Sequence, residues 1–343
     1  MSAEPKQTSP QSPRFAAPPS PHITSGETVH GIMVDVMVAL LPSLGVSTYF
    51  FGPRVLIMTA IALVSCVFFE FLYRLAMRKP QSIGDLSACV TGILLAMCLP
   101  VNAPYWTAIA GAFFAIVIVK QLYGGLGKNF MNPALAGRVF LFSFPALMSN
   151  WAVSGTDFWT GLGMHTDAAT AATPLESLHQ GLLPEYSLQE MLIGAHSGNL
   201  GEVSSIALIL GGLYLICRKV ISARIPLCFV GTVAALTYLF PLNGNDPLEW
   251  MLYHLLSGGL LLGAFFMATD YVTSPITPAG QVVFAIGCGV LTVFLHYFGA
   301  FPEGVGFAIL IMNAFAPLLD KIGMPRRPGE PRFRSNRKGG TAP

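Results

Sequence analysis

Ten apolar stretches of roughly 15 to 22 residues, separated by short polar or basic breaks, leave this chain few folds to choose from. They lie near residues 32–51, 55–77, 86–99, 104–122 and 132–148, and then near 203–217, 225–241, 251–268, 280–298 and 303–319. Soluble domains carry about 25% charged residues, whereas this chain is 10% charged and 53% hydrophobic, with a mean hydropathy of +0.61. It therefore reads as an all-α integral membrane protein of about ten transmembrane helices in two groups of five.

The cations give that count a direction. With the N-terminus placed inside, every Lys and Arg except Arg54 and Arg138 falls on the cytoplasmic side, among them Arg74, Arg78, Lys79, Lys120, Lys128, Arg218, Lys219 and Arg224. Positive charge collects on that side of a membrane, so both termini are expected in the cytoplasm. The division that follows is a disordered, Pro- and Ser-rich cytoplasmic tail over 1–22, which has neither the apolar core nor the cleavage site of a signal peptide. After it come a first five-helix repeat over 23–148, an extracytoplasmic loop over 149–202, a second five-helix repeat over 203–320, and a basic cytoplasmic tail over 321–343. The cations follow topology and form no nucleic-acid surface; the surrounding partner is membrane lipid.

An odd number of spans in each half makes the halves enter the membrane from opposite sides, so any similarity between them is an inverted repeat. Residues 86–100 and 255–270 are both short, Gly-containing apolar segments placed third in their halves, and each precedes a longer span that ends in an aromatic–Gly stretch. Matched short or broken helices point to a binding site near the midplane, while tilt or local thinning would give two ordinary short spans.

Few ionisable groups fall within the spans. Glu70 and Arg74 are spaced as a plain intrahelical pair. Arg138 lies well inside its span, where it either snorkels to the inner surface or faces a polar ligand such as a flavin ring carbonyl. Asp35, Asp85, Asp270 and Glu303 sit near span ends, where capping or interfacial solvation accounts for them. The six Cys, with no C-x-x-C spacing among them, are apolar filler rather than disulfides or an iron–sulfur site. His254 and His296 have no second pair facing them for a bis-His haem; no metal site is expected.

The 149–202 loop contains no Lys or Arg and carries Thr173-Pro174-Leu175-Glu176. Thr at the N-cap, Pro at the first helical position and Glu three residues on make a helix start with a capping box. A phosphate esterified to such a Thr would meet free N–H groups and the positive end of the helix dipole.

Several longer motifs carry a family resemblance. They are Lys120 to Asn129 with its Gly124-Gly125 and Gly127, Asn132-Pro133-Ala134, Met267-Ala268-Thr269-Asp270, Thr273-Ser274-Pro275, and Pro302-Glu303-Gly304-Val305 with Asn313. Together they resemble the RnfD component of the Rnf electron-transport complex, in the RnfD/NqrB family, over about residues 20–320. In that family a D-x-x-S/T-x-A-T motif ends in a Thr esterified to FMN. Asp167, Thr170, Ala172 and Thr173 match it, with Ala171 in the place of the usual Gly, which makes Thr173 the implied attachment site and Thr170 the competing acceptor. The resemblance further implies a non-covalent riboflavin, for which Arg138, Asn132, Thr269 and Asp270 are the polar candidates. It also implies a flavin transferase for maturation, and the Rnf A, B, C, E and G subunits as partners, with RnfG passing electrons to this chain. The expected role is a redox relay, with no catalytic residue of its own, in a complex that couples ferredoxin/NAD electron transfer to sodium or proton translocation in a bacterial or archaeal inner membrane. A solute channel or transporter shares the five-plus-five architecture but has no need of the loop motif, and a purely assembly role leaves that motif unexplained.

Overall fold

The computed structural model describes residues 27–148, 173–299 and 303–323, and every described element is helical. In order these are α1 (Val29–Phe51), α2 (Arg54–Ala76), α3 (Ser87–Met97), α4 (Tyr105–Phe113), α5 (Pro133–Leu141), α6 (Pro145–Met148), α7 (Pro174–His179) and α8 (Leu188–Ile193). They continue as α9 (Ser205–Cys217), α10 (Arg224–Leu239), α11 (Pro247–Leu256), α12 (Leu260–Leu262), α13 (Pro278–Phe298) and α14 (Val305–Leu319). Two π-helical stretches, Phe114–Gln121 and Gly263–Met267, extend α4 and α12.

Among the described residues, α1, α2 and α13 are each long and apolar enough to cross a membrane. At 1.5 Å per residue, the 23 residues of α1 or α2 reach about 34 Å. The expected span at 251–268 is one broken unit: α11 and the α12–π segment meet at a bend of 63° across Ser257-Gly258-Gly259. The expected span at 132–148 is α5, a turn at 142–144 and the short α6. Five further helices are apolar but shorter, α3 with 11 residues among them.

Small residues let these helices approach closely. A Cβ placed on Gly92 of α3 would stand 2.6 Å from the Leu63 Cα of α2, and one on Gly137 of α5 would stand 2.9 Å from the Gly111 carbonyl oxygen of α4. Such backbone-to-backbone packing replaces the hydrophobic drive that is missing between helices in lipid. The largest buried cluster joins both halves of the chain, with Leu95, Ile116 and Leu135 from the first and Phe229, Leu260 and Phe284 from the second.

α3 has a particular place in this arrangement. Its first residue lies at the end of the molecule that carries Arg78, Lys79, Arg218, Lys219 and Lys321, the basic end. Its last turn stops about 16 Å in, at the rise given by 11 residues. There the returning chain closes over it: Leu200 N–H donates to the Leu99 carbonyl at 3.1 Å, Gly201 N–H donates to the Met97 carbonyl at 2.7 Å, and Pro100 bridges Asn199.

Candidate functional site: a basic-end cavity and a central charged cluster

At the basic end, a cavity opens between the starts of α1, α3 and α5, the end of α9 and the turn after the α12 extension. Its make-up is of the kind found in small-molecule sites, mostly apolar with a few placed polar groups. Ile32, Val36, Leu94, Phe265 and Phe266 supply apolar wall, and Ser87, Thr91, Lys120, Asn129, Asn132, Thr269 and Asp270 supply the polar groups.

Each of these is held by local structure. Asn132 is the N-cap of α5: its Oδ1 accepts from the Ala134 and Leu135 N–H groups, and its Nδ2 reaches across to the Met267 carbonyl at 3.3 Å. Asn313 of α14 braces the same corner, with its amide donating to the Ile309 and Thr273 carbonyls and accepting from the Asn132 N–H. Thr273 Oγ1 donates to Asp270 at 3.0 Å, and Thr269 Oγ1 donates to the Phe265 carbonyl at 2.6 Å. Asn129 gives its Nδ2 to the Met131 carbonyl, while its buried Oδ1 has no hydrogen-bond partner within the chain. A buried amide oxygen left so is a place for a donor from a bound molecule.

Lys120 is the charged group of this wall. It is 2% exposed and donates to Glu70 at 2.8 Å and to Ser87 Oγ at 2.6 Å. The Glu70–Arg74 pair read from the sequence is the looser contact, at 3.9 Å. Glu70 is turned inward because a cation from another helix, and the Ser82 hydroxyl, take its two oxygens.

Arg138 does not join the cavity. Six residues along α5 from Asn132, it lies deeper, where the end of α3, the 196–204 segment, the α11–α12 break and the start of α14 converge. It neither snorkels nor stands open: it is 4% exposed and pairs with Glu303 and, at 3.6 Å, with Glu202. Asn199 Nδ2 donates to both carboxylates. Glu303 is thus no interfacial end residue, and Glu202, which falls in the polar loop by sequence, is buried. The three charges are far apart in the chain, and only the excess of carboxylates around one intramembrane Arg could have signalled them.

Asp35 and Asp85, expected at span ends, are there: Asp35 accepts from Tyr214 and Arg218, and Asp85 accepts from the Ser87 N–H and hydroxyl. Of the loop motif, Asp167 and Thr170 lie outside the described residues. Thr173 is the N-cap of α7, its Oγ1 accepting from the Glu176 N–H at 3.2 Å, and it is 4% exposed. Leu175, Leu178, Trp250 and Tyr253 pack α7 on α11, and His179 Nδ1 meets the His296 carbonyl at 2.6 Å. His254 and His296 lie side by side, ring centroids 5.8 Å apart. Among the described residues no three His, Cys, Asp or Glu gather as a metal site.

A family model described as the NQR2, RnfD, RnfE family matches residues 17–329. The chain is similar to the D subunit of the Na(+)-translocating ferredoxin:NAD(+) oxidoreductase complex of Acetobacterium woodii, 42% identical over 93% of this chain and 96% of the relative. It is similar also to the D subunit of the proton-translocating ferredoxin:NAD(+) oxidoreductase complex of Clostridium ljungdahlii, 41% identical over 91% and 95%. A third relative, the D subunit of the ion-translocating oxidoreductase complex of Stutzerimonas stutzeri, is 40% identical over 88% and 92%.

Proposed function

This chain belongs to the NQR2, RnfD, RnfE family, and from that premise we propose that it is the D subunit of an ion-translocating ferredoxin:NAD oxidoreductase complex, acting as a flavin-bearing electron relay. The match along nearly the whole chain is the observation that carries this reading. The A, B, C, E and G subunits of that complex are its partners, with RnfG delivering electrons. The chain sits in the cytoplasmic membrane with both termini inside, which turns the basic end of the fold to the cytoplasm and α7 to the outside.

Two flavin positions follow. Thr173 takes FMN through a phosphoester made by a flavin transferase, on the strength of the loop motif and of a hydroxyl that stands at a helix N-cap. Since Thr173 is 4% exposed, attachment precedes the docking of α7 on α11. Riboflavin, uncharged and tricyclic, suits the basic-end cavity. Phe265 and Phe266 give the flat ring system an apolar wall, Asn129 Oδ1 takes a ring N–H or a ribityl hydroxyl, and Asn132, Thr269 and Asp270 line the polar side. Arg138 is withdrawn from this set, because its guanidinium is committed to two carboxylates. The flavins supply the electron-accepting chemistry, and the chain supplies their position and surroundings.

Acid precipitation of the purified complex tests both positions together. One flavin should be released and one should remain on this chain. Release of every flavin would overturn the covalent site, and release of none would overturn the riboflavin site.

A further inference from the structure

Three features of the basic-end cavity are of the kind that hold phosphate: a buried lysine in the wall, and the first turns of two helices, α3 and α5. Cations and the free N–H groups of a helix N-terminus both draw phosphate oxygens. Here each of the three is already taken by a side chain of the protein itself. Lys120 donates to Glu70 at 2.8 Å and to Ser87 Oγ at 2.6 Å. At the start of α3, the Asp85 carboxylate accepts from the Ser87 N–H at 2.8 Å and from the Ser87 hydroxyl at 2.5 Å. Through that hydroxyl the charge of Lys120 is shared by a second carboxylate. At the start of α5, Asn132 Oδ1 accepts from the Ala134 and Leu135 N–H groups, and Pro133 between them has none to offer.

The rest of the wall follows the same rule. Thr91 gives its hydroxyl hydrogen to the Ser87 carbonyl and Thr269 gives its own to the Phe265 carbonyl. Among the described residues that line the cavity, Lys120 is the one cation, and the other charged side chain, Asp270, is an acid. The one buried polar side-chain atom of that wall left without a partner is an acceptor, Asn129 Oδ1. The next cations outward, Arg218 and Lys219, line a separate polar pocket with Glu27 and Asp35. Arg218 is held there by Asp35 at 3.1 Å, and Ile32, Val220 and Tyr271 line both spaces, with the Tyr271 hydroxyl donating to the Val220 carbonyl.

We propose that this cavity selects its ligand by refusing phosphate, and that Glu70, with Asp85 beside it, sets the choice: the two carboxylates hold the charge of Lys120, which closes the site to FMN, FAD and other phosphate esters. The selection is one made by the flavin site proposed above and rests on that reading. A phosphate entering here would share one ammonium with a carboxylate that is 0% exposed, and like charges so placed are costly at low dielectric. A neutral flavin meets no such penalty, and its hydroxyl and ring N–H groups supply the donors that Asn129 Oδ1 and Asp270 can accept. Specificity of this sort lies in what a site rejects as much as in what it binds. Glu70 does not itself line the cavity. It acts through Lys120, as a positioning residue.

The test is the identity of the non-covalent flavin, read by chromatography after acid release from the whole purified complex, with the covalent flavin counting the chains present. The parent should release riboflavin alone. Glu70→Gln keeps the shape and an acceptor but uncovers the charge of Lys120, and should raise the FMN-to-riboflavin ratio about tenfold or more, a change of about 1.4 kcal/mol. Adding Lys120→Met to it removes the cation and should return the site to riboflavin alone, which a general loosening of the fold would not do. Asp85→Asn, at a half-buried position apart from the Lys120–Glu70 pair, should move the ratio the same way by less, and supplies the answer if Glu70→Gln does not assemble. A ratio unmoved in the variants that assemble, FMN persisting in the double variant, or FMN released from the parent overturns the proposal and leaves a flavin in the cavity. A parent that releases no flavin at all overturns the flavin site itself.

Discussion

Two buried cations divide the work of this molecule. Lys120 at the basic end meets one carboxylate, Glu70, and two serines, Ser82 and Ser87, complete the group. Arg138 at the centre meets two carboxylates and an amide. The first group holds its one carboxylate between Lys120 and, more loosely, Arg74, and it stands in the wall of the cavity. The second has a surplus of carboxylate and closes on itself where four segments of the chain meet. In a low-dielectric interior the sign of the surplus matters more than the number of contacts, because breaking a buried pair leaves an uncompensated charge.

The largest expected effect sharpens that contrast. Arg138→Met strands two carboxylates and should cost about 3–5 kcal/mol, seen as loss of assembled complex or a steep fall in Tm. Lys120→Met leaves Glu70 with Arg74 and Ser82, and should cost less than half as much. Equal losses would mean that the two groups are equivalent. Next in size, Asn129→Ala should weaken retention of the non-covalent flavin at least tenfold, or about 1.4 kcal/mol, measured as acid-released flavin per complex. Thr269→Val should act in the same direction, and Arg138 substitutions that still assemble should leave this flavin in place.

The sequence carried the helices well and the pairings poorly. The apolar runs and the polar or basic breaks between them mark α1, α2, α9, α10, α13 and α14 to within a few residues, since those features are local. Asn132, Thr269 and Asp270 were grouped by their polarity and by the broken-helix argument, and all three line the cavity. Arg138 was grouped with them by its polarity and by the broken-helix argument, but it lies apart from the cavity because its partners Glu202 and Glu303 come from distant segments. No period or spacing encodes that meeting. Glu202 was hidden for the opposite reason: its neighbours in the chain are polar, so a buried carboxylate reads as part of a loop.

The smallest effect concerns pH at the start of α8, away from both cations. Glu190 completes a capping box with Ser187 at the start of α8, and the Ser187 N–H and hydroxyl hold its carboxyl below the ordinary carboxylate value. The folded pKa is the lower one, so the cap's contribution is present above the ordinary value and is lost as pH falls through the depressed one. Amide exchange in 188–193 should quicken on acidification in that range, and Glu190→Gln should flatten the dependence.

Thr173 offers the most direct test of the flavin relay. Intact mass and in-gel fluorescence of the denatured chain, produced with its partner subunits and flavin transferase, should show one FMN less a water on the peptide that contains Thr173. Thr173→Ser should retain it, and Thr173→Ala should yield a dark, unmodified chain that still inserts and has lost about 1 kcal/mol of helix capping. A parent chain of unmodified mass, beside a control protein that the same transferase labels, would contradict the flavin-relay reading.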